Sequence, residues 1–113
     1  MVASELANKN CTPCRGGIPP LAPEEARQLL VGAAGWELEQ GYTRLQRSFK
    51  FETFPKAIEF VVSVAQLAEE EGHHPDFAIH YREVTLVLYT HAIGGLHEND
   101  FIMAAKINQL VGK

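Results

Sequence analysis

One long amphipathic segment, residues 53–72, limits the possible folds more than any other part of the chain. Apolar residues recur in it at intervals of three and four, which gives a helix one wide apolar face. Those residues are Phe54, Ala57, Ile58, Val61, Val64, Ala65 and Ala68. Thr53 can cap the helix start, Pro55 is tolerated in its first turn, and Gly72 can end it. The segment therefore predicts a helix that must pack against a second layer of structure.

Segments with the pattern of strands lie on both sides of this helix. Before it, residues 36–38 predict a short strand, and residues 45–51 predict a second one with alternating apolar and polar positions. After it, residues 77–81 and 84–90 predict two more strands, joined by a tight turn near Arg82-Glu83. Two pairs of neighbouring strands are thus separated by the long helix.

Two further helices are predicted at the ends of this pattern. The first begins at Pro23 and stops at Gly35, and the last runs from about Glu98 through Leu110. The element order is therefore α-β-β-α-β-β-α. Short connections between strands, with a helix crossing between the pairs, predict an α+β fold. We expect a four-stranded antiparallel sheet with three helices packed on one face.

The N-terminal residues carry no periodic pattern, and their glycine and proline pairs discourage regular structure. We expect residues 1–22 to form a flexible leader and residues 23–113 to form a single domain. The leader holds Cys11 and Cys14 in a CxxC arrangement. A redox motif would need a preceding strand, and a zinc site would need two more ligands at compatible spacing. Neither is evident, so we expect a reduced and inert pair.

Composition and charge argue against several classes of function. The chain has 113 residues and a net charge of −4, and its scattered lysines and arginines form no basic face of the kind that nucleic-acid binders use. We expect no direct binding to DNA or RNA. No apolar run reaches the roughly 18–20 residues of a membrane span, so we expect no membrane insertion. The residues after Met1 lack the features of a secretory signal, which favours a cytoplasmic location.

Histidines gather at the ends of the predicted elements. Glu69, His73, His74 and Pro75 lie where the long helix ends, and His91 lies at the end of the last strand. Imidazole has an unperturbed pKa of about 6.5, so it can both give and take protons near neutral pH. Clefts and functional loops tend to form at such element ends. The acidic run and the negative helix end favour a protonated imidazole nearby. The pattern indicates an acid–base site.

These features also have simpler interpretations. The acidic run alone would be a solvated helix end, His80 and His97 have the pattern of surface residues, and Trp36 alone would be a core residue. Three histidines can also bind zinc with an open fourth position. However, consecutive residues of an extended chain point to opposite sides, so His73 and His74 cannot easily share one ion. We therefore expect no metal.

The spacing of these residues resembles the signature of the pterin-4a-carbinolamine dehydratases. The matching pattern is Glu69-x-x-x-His73-His74-Pro75, followed by Tyr81, His91 and Asp100. Further similar features are Gly35-Trp36, Thr90-His91, Gly95-Leu96 and the helix opening at Glu98-x-Asp100. The similarity covers about residues 23 to 111, and the leader is similar to those of some bacterial members. Members often have Ser or Thr where His97 stands, so the cap of the last helix can differ, while Asp100 can still accept helix N–H groups.

The resemblance implies the same four-stranded fold and a dehydration reaction. In that reaction 4a-hydroxytetrahydropterin loses water to give quinonoid dihydropterin, which recycles the pterin used by aromatic amino acid hydroxylases. It also implies that His73, His74 and His91 are catalytic and that the protein is a homodimer or homotetramer. The residues implied on the substrate side are Trp36, Glu69, Pro75 and Asp100.

The chemistry of this reaction suits imidazoles. A proton must reach the departing hydroxyl, and the ring nitrogen must lose its proton as the new C=N bond forms. One protonated and one neutral imidazole meet both needs, each typically contributing roughly 10²–10⁴-fold. We expect His91 as the acid and His73 as the base, with the two roles open to exchange, His74 orienting the ring and Glu69 biasing protonation. No redox change occurs, so we expect no cofactor.

Two other functions stay open at this point. Relatives of the family in animals act as dimerisation partners of a homeodomain transcription factor, so the chain could be a non-enzymatic binding protein. It could also be a pterin enzyme of different specificity, such as one acting on a molybdopterin precursor. The sequence does not specify the side chain of the pterin.

Overall fold

Two hairpins form one antiparallel sheet with the strand order β1-β2-β4-β3. The strands are β1 (Glu37–Glu39), β2 (Arg44–Lys50), β3 (Asp76–His80) and β4 (Glu83–Leu88). β4 pairs with β2 as well as with β3, so the second hairpin lies beside the first and β3 forms an edge. The chain is seen in a computed structural model, which describes residues 3–11, 18–39 and 41–111.

The helices of the described residues follow the predicted order, with one addition at the N-terminus. They are α1 (Ala3–Ala7), α2 (Pro23–Leu30), α3 (Phe54–Glu71) and α4 (Glu98–Val111), with a one-turn 3-10 helix at His91–Ile93. The helices and the sheet bury one shared apolar core, to which each of α1 to α4 contributes. The predicted α+β fold with a four-stranded antiparallel sheet is confirmed.

The long helix begins and ends where its sequence signals predict. The Thr53 hydroxyl oxygen accepts a hydrogen bond from the backbone N–H of Lys56 at 3.2 Å, as an N-cap does. Gly72 closes the helix at a φ of +67°, a left-handed conformation that glycine adopts without steric cost. The direction in which the chain leaves α3 is therefore fixed just before His73.

The turn between β3 and β4 lies one residue earlier than the sequence predicts. The loop is Tyr81-Arg82, because β3 ends at His80 and β4 begins at Glu83. Tyr81 has a φ of +56°, and the favoured two-residue hairpin loops need a positive φ at their first position. The alternating pattern alone cannot show that Tyr81 leaves the strand to supply it.

The leader contains a helix where the sequence predicts irregular chain. α1 packs against α4, Leu6 is fully buried, and the Lys106 ammonium donates a hydrogen bond to the carbonyl oxygen of Ala7 at 2.9 Å. Five residues are too few to form a stable helix alone, so this packing against α4 accounts for α1. The expectation of a flexible leader is corrected for these residues, whereas Cys14 lies outside the described part of the chain.

The edge strand β3 exposes its apolar side chains. Phe77 and Ile79 lie opposite Leu86 and Val84 of β4, on the helix-covered side of the sheet. Their β4 partners are fully buried, yet Phe77 and Ile79 remain 37% and 41% exposed. The helical layer therefore stops short of this edge. Among the described residues, no helix has the length and apolar character needed to cross a membrane.

Candidate active site

The β3–β4 hairpin brings the histidine-bearing segments together. In its antiparallel register, Asp76 at the start of β3 lies opposite Val87 near the end of β4. Residues just before β3 must therefore lie beside residues just after β4. His73 and His74 come before β3, and His91 comes after β4.

A pocket of about 290 Å³ lies at this end of the hairpin. Its volume is at the lower limit of the roughly 300–1,000 Å³ that is typical of small-molecule sites. The residues that line it are Gly72, His73, His74, Pro75, Asp76, Tyr89, Thr90 and His91. Three imidazoles from two separate segments thus face one concave surface.

His73 is held by a buried carboxylate. Its Nε2 lies 2.6 Å from Oδ1 of Asp100, and the His73 side chain is 11% exposed while that of Asp100 is fully buried. The carboxylate comes from the first turn of α4. A carboxylate at this distance fixes both the orientation and the tautomer of an imidazole.

Asp100 has further donors that compensate for its burial. Its Oδ2 accepts a hydrogen bond from the Thr90 hydroxyl at 2.8 Å and one from the backbone N–H of His97 at 3.0 Å. A buried carboxylate is costly unless it is paired and hydrogen-bonded. The backbone N–H that Asp100 accepts is that of His97, just before the first residue of α4. The network ties the start of α4, the end of β4 and His73 together.

The second imidazole has a more exposed partner. Nε2 of His74 lies 2.6 Å from Oε2 of Glu69, and both side chains are exposed. Exposed ion pairs of this kind contribute little to stability. Their geometry can still orient the His74 ring at the mouth of the pocket, beside Pro75.

The third imidazole, His91, is exposed and contacts an aromatic ring. The ring centroids of His91 and Tyr89 are 4.0 Å apart, with an angle of 41° between the planes. Sequence reasoning did not include Tyr89 among the site residues. Strand periodicity could have identified Tyr89, since residues two apart in a strand, such as Tyr89 and His91, project to the same side.

The structure places Trp36 outside the pocket lining. The Trp36 ring is buried, meets the ring of Phe49 edge-on at 6.1 Å, and donates a hydrogen bond from Nε1 to Oδ1 of Asn108 at 2.8 Å. Gly35 has a φ of +85°, and a Cβ atom there would lie 2.8 Å from the Arg47 guanidinium. The Gly-Trp pair is thus explained by packing in the core, and a place for Trp36 beside the substrate stays a prediction from the resemblance.

The described cysteine of the leader is docked against α3 and α4. The Cys11 backbone N–H donates to Oε1 of Glu71 at 2.7 Å, and its thiol donates to the carbonyl oxygen of Asn99 at 3.6 Å. Burial, reinforced by the nearby Glu71 carboxylate, raises the pKa of the Cys11 thiol to about 12. This disfavours the thiolate, which is the reactive form of cysteine.

No group of three or more His, Cys, Asp or Glu side chains in the described ranges is arranged to hold a metal ion. The residues that line the pocket supply three imidazoles, the hydroxyls of Tyr89 and Thr90, and the carboxylate of Asp76. What this arrangement can supply is proton transfer, because each imidazole has a nitrogen that can donate or accept.

Fold and pocket together define a small α+β protein with a histidine-lined cleft beside a two-stranded hairpin. A family model described as pterin 4 alpha carbinolamine dehydratase matches residues 19–110. The chain is 51% identical over its whole length to a Methylococcus capsulatus protein named "Putative pterin-4-alpha-carbinolamine dehydratase", of which it covers 99%. It is 50% identical to a Cupriavidus pinatubonensis protein named "Putative pterin-4-alpha-carbinolamine dehydratase 1", over 96% of this chain and 94% of that one. The chain belongs to the pterin-4a-carbinolamine dehydratase family.

Solved structures have the same fold. A Brucella melitensis protein described as a transcriptional coactivator/pterin dehydratase superimposes with a TM-score of 0.76 at 35% identity, covering 80% of this chain and 97% of that one. A pterin dehydratase-like protein described as a RuBisCO assembly factor in the alpha-carboxysome superimposes with a TM-score of 0.61 at 24% identity, over 70% of this chain and 92% of that one. At that identity, the second likeness concerns the fold alone.

Proposed function

We propose that this chain catalyses the dehydration of a 4a-hydroxytetrahydropterin to the quinonoid dihydropterin. The observation that carries the proposal is the convergence of His73, His74 and His91 on one pocket, with His73 held by Asp100. Family membership and the names of the relatives support the same activity. The reaction is a hydro-lyase step, in which the C–O bond at C4a breaks, the ring N–H is lost, and a C=N bond and water form.

His73 is proposed as the base that takes the ring proton. A carboxylate at Asp100 accepts a hydrogen bond from Nε2–H, which leaves Nδ1 with the lone pair. The imidazolium that forms is then stabilised by the same carboxylate, as in other histidine–aspartate pairs. Thr90 and the backbone of His97 hold the carboxylate in place.

His91 is proposed as the acid that protonates the departing hydroxyl. It reaches the pocket from the opposite segment, so a flat bicyclic substrate between His73 and His91 would meet both groups. His74, paired with Glu69, is proposed to orient the pterin ring at the exposed side. In the reverse assignment, His91 is the base and His73 the acid, and the two predict different pH dependences.

Alanine variants of the two imidazoles test the proposal directly. His73→Ala and His91→Ala should each lower the rate of enzyme-catalysed dehydration by roughly 10²–10⁴-fold, followed by absorbance with freshly generated carbinolamine. His80→Ala is the matched control, because His80 is exposed at the far end of β3 and does not line this pocket. Circular dichroism checks that each variant is folded. Normal rates in both variants would refute the assignment.

We also propose a biological role, which rests on membership of the family. The product would be returned to the reduced pterin that aromatic amino acid hydroxylases consume, and these enzymes are the expected pathway partners. The cytoplasmic location remains a prediction from the sequence. Dehydration rates measured side by side with biopterin, monapterin and folate-type carbinolamines would identify the preferred pterin side chain. Activity on a molybdopterin precursor would test the alternative that the chain is a pterin enzyme of different specificity.

We also propose that the chain forms a homo-oligomer through β3. This strand pairs only with β4 within the described sheet, and all five of its residues are exposed. An open edge with apolar side chains favours pairing with another strand. A second copy is the occupant we propose, because two antiparallel edges related by a twofold axis form a self-complementary interface. A dimer and a tetramer are both compatible with this arrangement.

A binding role is the second candidate function. It is favoured by the description of the Brucella melitensis protein as a transcriptional coactivator as well as a pterin dehydratase. The exposed side chains of Phe77 and Ile79 would offer a surface for such a role. A stable partner recovered with the purified chain, together with no dehydration above the uncatalysed rate, would favour this function over the enzymatic one.

A further inference from the structure

His91 differs from the other two pocket imidazoles in how it is held. His73 and His74 each lie 2.6 Å from a carboxylate oxygen. Within the described residues, the His91 imidazole has no hydrogen-bond partner. Its ring contact is with Tyr89. An exposed histidine can otherwise turn about its side-chain torsions, so this ring contact is what the structure offers to orient it.

Local backbone geometry produces the contact. Tyr89, Thr90 and His91 are consecutive, and Thr90 projects inward, where its hydroxyl donates to the buried Asp100. Residues on either side of an inward-pointing residue in extended chain project outward together. Tyr89 and His91 therefore meet on the outer side, with their ring centroids 4.0 Å apart.

The Tyr89 ring is itself held from the neighbouring strand. The guanidinium carbon of Arg44 lies 3.7 Å from its centroid, a cation–π geometry. Leu45 pairs with Leu88 in the β2–β4 register, so Arg44 and Tyr89 are the next positions along the two strands. Guanidinium, phenol and imidazole thus form a continuous row that leads from β2 to the pocket.

We propose that Tyr89 is a positioning residue for His91, with Arg44 supporting the Tyr89 ring. The inference rests on the proposed function, since it gives His91 a task for which its orientation matters. A displacement of about 1 Å in a reacting group can cost on the order of 10²-fold in rate. The aromatic ring carries the role, because the structure shows Tyr89 in ring contacts and no hydrogen bond to its hydroxyl within the described residues.

Matched variants separate this role from a general loss of packing. Tyr89→Leu should lower kcat by about tenfold with little change in KM, because the catalytic group is displaced while the pocket persists. Tyr89→Phe, which keeps the ring, should restore most of kcat. In a His91→Ala background, Tyr89→Leu should have no further effect. An unchanged kcat in Tyr89→Leu, or the same loss without His91, would overturn the proposal.

A second measurement needs no catalysis. The ring-proton NMR signals of His91, assigned by their absence in His91→Ala, should be displaced by the ring current of Tyr89. Tyr89→Leu should move them towards the positions of a free histidine, and Tyr89→Phe should leave them displaced. If the parental chain shows no dehydration, the proposed function fails while this test still applies. Signals that do not move in Tyr89→Leu would refute the positioning role itself.

Discussion

At the scale of single residues, the three histidines of the pocket have three different environments. His73 is nearly buried on a carboxylate that accepts hydrogen bonds from Thr90 and a backbone N–H. His74 is exposed with an exposed partner, and the His91 ring contacts the ring of Tyr89. Because environment decides which nitrogen carries a proton and how firmly a ring is held, one side-chain type can supply a base, an orienting group and an acid.

The Cys11 thiol offers a residue-scale test of the docked leader. Its pKa of about 12 lies above the ordinary value of 9.0, so the folded chain holds the thiol proton more tightly than the unfolded chain. The resulting contribution to stability is complete below pH 9 and is lost as the pH rises towards 12. In a Cys14→Ser variant at pH 8, iodoacetamide should modify Cys11 on the order of 10²–10³-fold more slowly in the folded chain than in urea.

Undocking the leader should remove this protection. Leu6→Ala is the matched variant, because Leu6 is fully buried and α1 has no other described side chain of comparable size in the core. Its Cys11 should be modified much faster than in the Cys14→Ser parent. Equal rates in folded and unfolded Cys14→Ser chain would show that Cys11 is not held against Glu71 and Asn99.

At the scale of elements, the start of α4 carries an unusual cap. Nδ1 of His97 accepts the backbone N–H of Asn99 at 3.0 Å, while Asp100 reaches back to the backbone N–H of His97. These reciprocal bonds resemble a capping box, with an imidazole in place of the usual hydroxyl and its bond made to the second N–H of the helix rather than the third. The cap and the site share Asp100, so the helix start also fixes the carboxylate that holds His73.

Replacing the capping imidazole should change stability in a graded way. His97→Ala should lower the free energy of unfolding by about 0.5–2 kcal/mol, because one helix N–H loses its acceptor. His97→Ser should recover most of this loss, since its hydroxyl can accept the same bond. Urea denaturation followed by circular dichroism measures both variants. If His97→Ala is as stable as the parental chain, the His97 ring does not act as the cap.

The elements themselves were largely predictable, for identifiable reasons. Local signals predict α3: the Thr53 cap, the apolar stripe and Gly72. The structure confirms the helix between these two caps. The hairpin turn is displaced by one residue because Tyr81 adopts a positive φ, which the alternating pattern cannot reveal. α1 was not predicted, because its stability comes from packing against α4. Local sequence patterns do not show such a contact.

The site was predictable only in part. Local patterns indicated histidines at element ends, and the resemblance placed His73 and Asp100 at one site. Their pairing joins residues 27 positions apart and was not predicted. Tyr89 was missed because a tyrosine in an alternating strand has the pattern of an ordinary strand residue. Trp36 was placed beside the substrate by resemblance, and packing places it in the core.

At the scale of the whole molecule, the edge strand β3 is the main surface that the helices leave uncovered. Ile79→Lys should convert the proposed homo-oligomer to monomer, because a charge on an edge strand opposes pairing. Sedimentation velocity at micromolar concentration measures this. Val31→Lys is the control, since Val31 is also exposed but lies just after α2, away from β3. A monomeric parental chain, or an oligomer that survives Ile79→Lys, would contradict an interface at β3.

The dependence of the dehydration rate on pH tests the central claim most directly. Two imidazoles acting as acid and base predict a bell-shaped profile for the parental chain. His73→Ala should remove the acid limb, where the base becomes protonated, and His91→Ala should remove the alkaline limb, where the acid loses its proton. An exchange of the two limbs would reverse the roles. Both limbs persisting in both variants would contradict catalysis by these histidines.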